Sequence, residues 1–201
     1  MRITRAGWAI MTVLSTLIVL LSARYAGLDP DDFFSEQRAT YLAHELPLAV
    51  HISGAVLALG VGPWQFSARL RRRWPRWHRR IGVTYLLGCL VGGIGALLLA
   101  PVAYGGTVAR LGFACLGVAW LVTGGTGLRM ILRRRVEDHR RWMVRSFALT
   151  FAAVTLRLML VAAKAAQLDF RTSYLVIAWL CWVPNLLLAC WFTRPRRPVR
   201  A

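Results

Sequence analysis

Few residues in this 201-residue chain have the chemistry for a site, and most of them lie in or beside long apolar runs. There are four histidines: His44, His51, His78 and His139. A neutral imidazole can ligate a metal or carry a proton near neutral pH. Two of the four stand in matching surroundings. Leu70-Arg71-Arg72-Arg73 leads to His78-Arg79-Arg80, and Leu132-Arg133-Arg134-Arg135 leads to His139-Arg140-Arg141. This similarity suggests a duplicated hairpin, with His78 and His139 at one depth on helices that face each other across a bundle. Bundle cores build cofactor sites from such facing side chains. Helical spacing puts Gly82, Tyr85, Cys89 and Gly92 on the His78 face, a surface small enough to admit a flat cofactor. Arg80 and Arg141 stand where the carboxylates of such a cofactor can be paired. A plainer assignment stays open beside this one: a histidine in a basic interfacial loop can simply contact lipid headgroups.

Arg157 is a second signal, because it interrupts the apolar run from Trp142 to Ala163. A lone arginine at mid-membrane costs about 2.5–3.5 kcal/mol on insertion scales, so it is expected to face an internal polar site. His51 lies about one turn into its own run from the same side, and His44 precedes it by seven residues, close to the same helical face. His51, Arg157 and His44 are therefore expected to form a polar site at the end of the helices away from the arginine loops, with Glu45 as a candidate counter-charge. Such a site suits hydrogen bonding, a quinone-like head group or proton transfer. Gln65 and Asn185 read as interhelical hydrogen-bonding groups.

What must position these residues is an all-α, polytopic membrane fold. A helix needs about 20 apolar residues to cross the hydrocarbon core. Six stretches qualify: Ala6 to Ala23, Pro47 to Ala68, Ile81 to Ala103, Leu111 to Leu132, Trp142 to Ala163, and Ser173 to Phe192. No small-residue cleavage pattern follows the first, which reads as an uncleaved anchor rather than a signal peptide. The expected organisation is an N-terminal anchor helix over 1–26, a four-helix core over 47–163, a C-terminal helix over 173–192 and a basic tail over 193–201. Gly88, Gly92 and Ala96 form a small-xxx-small series that favours close helix approach. Gly60, Gly62, Pro63 and Pro184 suggest local kinks.

Charge gives the orientation. The formal net charge is +18, and the arginines gather in blocks around 69–80 and 129–145, near the N-terminus and in the tail. The other side holds Arg24, Arg38, Arg110, Lys164 and Arg171, diluted by carboxylates such as Glu36, Glu45 and Asp169. By the positive-inside rule both termini are expected in the cytoplasm. Charge confined to blocks between apolar runs also argues against a nucleic-acid partner, despite the high isoelectric point. The bilayer is the expected partner. Cys89, Cys115, Cys181 and Cys190 lie in apolar runs without metal-site spacing and read as small core residues. No protease, P-loop or metal-hydrolase motif is present.

The stretch from His44 to Ala163 resembles a bacterial membrane-protein family known as domain of unknown function 2306. The resemblance rests on His51-Ile52-Ser53-Gly54 continuing to Gly62-Pro63-Trp64-Gln65-Phe66, on Trp77-His78-Arg79-Arg80-Ile81-Gly82 followed by Tyr85, and on His139-Arg140-Arg141-Trp142-Met143-Val144-Arg145-Ser146 followed by Thr155-Leu156-Arg157. It implies a multi-pass protein of the bacterial cytoplasmic (inner) membrane. More distantly, the layout resembles the six-helix transmembrane cytochromes b, in which histidine pairs join the second with the fourth and the third with the fifth helix. His78 and His139 match the third–fifth pair. His51 matches the second-helix position, while nothing on the outer part of the fourth helix matches its partner. The resemblance thus implies one inner b-type haem, its iron held by His78 and His139 and its propionates by Arg80 and Arg141, with Tyr85 nearby. The leading expectation is a membrane redox protein that meets a quinone or another small electron donor at the outer site. The alternatives are a non-enzymatic subunit or scaffold bound to another membrane protein and, more remotely, a small-molecule transporter.

Overall fold

The computed structural model describes residues 4–27 and 35–194. Most of the basic tail, and Arg2 ahead of the first helix, lie outside them. The described residues are helical throughout, joined by short turns, with no strand among them. Ten α-helices occur among the described residues, and eight of them make six apolar spans: Arg5–Ser22, Glu45–Phe66, Pro75–Val102, Thr107–Leu132, Val136–Ala165 and Phe170–Phe192. Each is long and apolar enough to cross a bilayer. Large apolar side chains such as Leu17, Leu87, Val118, Leu158 and Leu187 point outward from the bundle. In water this would be costly, and in lipid it is the expected surface.

Helix α1 (Arg5–Ala23) starts at Thr4, whose hydroxyl accepts the Gly7 N–H at 3.1 Å. A short polar helix, α2 (Ser35–Ala43), precedes α3 (Glu45–Val61). The second span then tightens into a 3-10 turn over Gly62–Phe66 with Pro63 buried in it. This is one of the places where glycine and proline were expected to bend a helix. The indole of Trp8 donates to the Pro63 carbonyl at 2.9 Å and fastens α1 to this turn. After α4 (Ala68–Arg73), Pro75 opens α5 (Pro75–Leu99) at a position where its missing N–H costs nothing. Gly105 and Gly106, at φ +92° and +77°, turn the chain into α6 (Thr107–Leu132) through left-handed backbone that glycine adopts freely.

The fifth span is α7 (Val136–Thr150) and α8 (Ala152–Ala165), broken at Phe151 rather than at Arg157. The sixth is α9 (Phe170–Leu180) and α10 (Val183–Phe192), broken before Pro184. The Asn185 amide ties the two breaks together, donating to the Thr155 hydroxyl and the Cys181 carbonyl, each at 3.0 Å. Asp169 caps α9 by accepting the Thr172 N–H at 2.7 Å, and that bond holds its carboxyl below the usual carboxylate range.

The centre of the bundle is a pair of hairpins, α3 with α5 and α6 with α7. Gly54, Gly88, Gly92 and Gly95 bring the backbones of α3 and α5 together: a Cβ on Gly54 would lie 2.6 Å from the Gly92 Cα, and one on Gly95 would lie 2.7 Å from the His51 Cα. Gly88 and Gly92 are thus the close-approach residues that the small-residue series predicts. Gly93 and Gly117 serve the α5–α6 contact by receiving Leu121 and Leu97. Cys89 and Cys181 are buried, and all four cysteines are free thiols.

Candidate functional site

Polar side chains gather at two levels of this bundle. The first lies towards the arginine-rich end, where α4 and the turn before α7 carry their basic residues. His78 is in the first turn of α5 and His139 in the first turn of α7. The imidazoles come within electrostatic range of each other. His139 Nδ1 lies 2.8 Å from the Gly127 carbonyl of α6. A carbonyl can only accept, so Nδ1 carries a proton, and in the neutral imidazole Nε2 then presents a lone pair. Metal-ligating histidines are oriented by this kind of bond. His78 differs, because its Nδ1 is buried with no hydrogen-bond partner, while its main-chain carbonyl accepts from Gln65 at 3.2 Å.

The arginines expected beside this pair have other partners. Arg141 bonds Asp138 at 3.1 Å, and Asp138 also holds Arg135 at 2.6 Å. Arg80 lies over the Trp77 ring, 5.4 Å from its centroid. Asp138, three residues from each of its arginines, was the local signal for that arrangement. Tyr85 is two turns further along α5 and only 1% exposed, so it forms a floor beneath the histidines. Its hydroxyl lies 2.9 Å from both Ser146 and Thr150 of α7. The Trp120 indole donates to Thr150 at 2.9 Å, and the Thr150 hydroxyl donates to the Ser146 carbonyl at 3.1 Å. With the Thr150 hydrogen so committed, Tyr85 donates to Thr150 and accepts from Ser146. The result is a one-way hydrogen-bond chain joining α5, α6 and α7 in the core.

The second level lies near the opposite end. Arg157 of α8 donates to the Ser22 hydroxyl at 2.9 Å and to the Ala153 carbonyl at 3.1 Å. Among the described residues no carboxylate pairs with it, so the expected ion pair with Glu45 is not formed; its partners are neutral oxygens. His51 comes within electrostatic range of Arg157. Its Nδ1 lies 2.9 Å from the Gly92 carbonyl of α5, again leaving Nε2 with the lone pair. His44 does not join them through its Nδ1, which bonds the Thr40 carbonyl at 2.9 Å at the junction of α2 and α3.

Three residues that the sequence reading did not single out complete this cluster. Tyr41 donates to Gln37 at 2.9 Å within α2, and Gln37 is 5% exposed. Both also come within range of Tyr174 of α9, and Tyr41 is within electrostatic range of Arg157. The Gln37–Tyr41 spacing of four residues places both on one face of α2 and was visible in the sequence. Their meeting with Tyr174, far along the chain, was not. Tyr174 in turn packs on Phe113 and stacks on Phe170, at centroid distances of 5.5 and 5.6 Å.

Among the described residues no three His, Cys, Asp or Glu side chains converge as a zinc-type site requires. Fold and polar clusters together define a multi-pass helical membrane protein whose buried polar groups are concentrated at two depths. The chain belongs to the family described as predicted membrane protein (DUF2306), whose model matches residues 48–193. No curated protein and no solved structure matches it.

Proposed function

We propose that the protein is a redox protein of the bacterial cytoplasmic membrane, with both termini in the cytoplasm, that holds one b-type haem between His78 and His139. The observation that carries this reading is the pair of imidazoles in range of each other on α5 and α7, one of them oriented through its Nδ1 by the Gly127 carbonyl, which leaves Nε2 as the atom to ligate. Two axial imidazoles are all that the protein must supply to the iron. The haem would supply one-electron transfer. The chain's own part is to hold the imidazoles neutral and facing, and to close the site beneath with the Tyr85–Ser146–Thr150 chain. Arg80 and Arg141 would leave Trp77 and Asp138 to pair propionates, so their present contacts favour the reading less than the histidines do.

The structural reading has an observation of its own. The His139 bond to Gly127 already fastens α7 to α6 without any cofactor. Absorption spectra of protein purified from haem-replete cells separate the two. The expected result is a haem spectrum that sharpens on reduction, abolished by His78→Ala and by His139→Ala and retained in His51→Ala. Folded protein without a haem band, even after reconstitution, would leave the histidines as helix fasteners of a non-enzymatic subunit.

A further inference from the structure

We infer that the cluster around Arg157 and His51 binds a quinone-type ring, with the guanidinium donating to one ring oxygen and His51 Nε2 facing the other. As the diffusible partner of a redox protein this deepens and rests on the haem reading, but as a binding site it can be tested without haem.

Arg157 is a half-buried charge in neutral surroundings. Arg157 lies inside a membrane span and its hydrogen bonds go to a serine hydroxyl and a main-chain carbonyl. Neither neutralises the guanidinium, and charges held within a membrane face functional sites as a rule. Among the described residues it meets no oxygen that carries a full negative charge, and such an oxygen, or one with a partial charge, is the partner it suits. His51 limits what that partner can be. Its Nδ1–H is committed to the Gly92 carbonyl, so Nε2 offers a lone pair. A simple carboxylate satisfies Arg157 but has no proton to offer the lone pair. A quinol has an O–H at each end of its ring, so one oxygen can accept from Arg157 while the other donates to Nε2. Tyr41 and Gln37, brought over by α2, and Tyr174 on α9 add neutral hydrogen-bonding groups that do not cancel the charge. The stacked Tyr174 and Phe170 rings provide aromatic faces beside them. A site built on transmembrane helices also suits a ligand that arrives through the lipid.

The test uses the full-length protein in detergent, with decylubiquinol, decylubiquinone, benzoate and inorganic phosphate as probes. Saturable binding is read by calorimetry and by the thermal unfolding midpoint. Decylubiquinol is expected to bind and to raise the midpoint. Arg157→Gln is expected to weaken it roughly tenfold or more, the loss of one charge-assisted hydrogen bond. Should Arg157→Gln not fold, His51→Gln and Tyr41→Phe decide, each expected to weaken binding several-fold, with the rise in midpoint on adding quinol read against that variant's own ligand-free midpoint. Absence of saturable quinol binding overturns the assignment, as does equal binding by all folded variants. Benzoate or phosphate binding as tightly as the quinol, with the same dependence on Arg157, also overturns it in favour of a small-anion site. Quinol binding by a protein that takes up no haem supports this site and refutes only the haem reading.

Discussion

In the α3–α5 hairpin backbone meets backbone, whereas in the α6–α7 hairpin backbone meets side chain. Both turn through an arginine-rich segment ending in His-Arg-Arg, yet they are fastened differently. Gly54 faces the Gly92 main chain, and Gly88 faces the Gly54 carbonyl and the Ala58 N–H. In the second hairpin Gly124 faces the Ser146 hydroxyl and Gly127 faces the thioether of Met143. A main chain inside a helix cannot yield without moving the helix. A methionine can rotate. Each hairpin also has one histidine whose Nδ1 is bound to a glycine carbonyl across the contact, at opposite ends of the bundle: His51 to Gly92 and His139 to Gly127. The first hairpin is therefore a rigid frame for the Arg157 cluster. The second holds its histidine against a flexible side chain that can adjust.

The sharpest way to break this comparison is Gly54→Ala. The new Cβ would lie 2.6 Å from the Gly92 Cα and 2.7 Å from the Gly88 carbonyl oxygen, so α3 and α5 must separate along the frame. The expected loss is at or above the upper end of the ~1–3 kcal/mol typical of overpacking. It would appear as a large fall in thermal midpoint and in monodisperse yield. An unchanged midpoint would mean that the first hairpin is no stiffer than the second. Tyr85→Phe comes next. It leaves the ring in place and removes the bond to Thr150 and the acceptor for Ser146, both in buried surroundings. Interhelical hydrogen bonds in membrane proteins average about 0.6 kcal/mol and reach about 1.7. A loss of about 1–2 kcal/mol is expected for the two bonds together, measured by unfolding in mixed micelles. If Tyr85→Phe costs nothing, the hydrogen-bond chain does not hold α5 to α7, and the frame rests on the glycines alone.

What could be read from the chain before its structure divides by range. The six spans, the arginine loops and the close approach at Gly88 and Gly92 depend on runs and spacings within one helix, and a helix carries such information locally. Depth was legible for the same reason, since counting residues from the end of a span brought His51 and Arg157 to one level. Partners were less legible. Arg157 finds Ser22, which stands 135 positions earlier and has nothing in its own sequence to announce it. Tyr174 meets α2 only because the chain folds that helix back over the bundle. The break at Phe151 carries no glycine or proline of its own. Asp138 is the opposite case: its arginines stand three residues away on either side, so this ion pair is local and its spacing is legible in the chain.

Gly127→Ala is the smallest effect and the most informative about the histidine beside it. A Cβ there would meet the Met143 Sδ at 2.6 Å, with Met143 Cγ at 3.5 Å and Trp142 Cβ at 3.6 Å. The tight contact is with one atom of an unbranched side chain, which can swing to another rotamer. The Gly127 carbonyl that holds His139 is unchanged by the substitution. The expected cost is below about 1 kcal/mol, partly offset by the gain in helix propensity from glycine to alanine. Gly125→Ala is the control, since nothing stands within 4 Å of its Cβ and only the propensity gain remains. If Gly127→Ala instead falls as far as Gly54→Ala, Met143 cannot move. The second hairpin is then as rigid as the first, and the difference between them is lost.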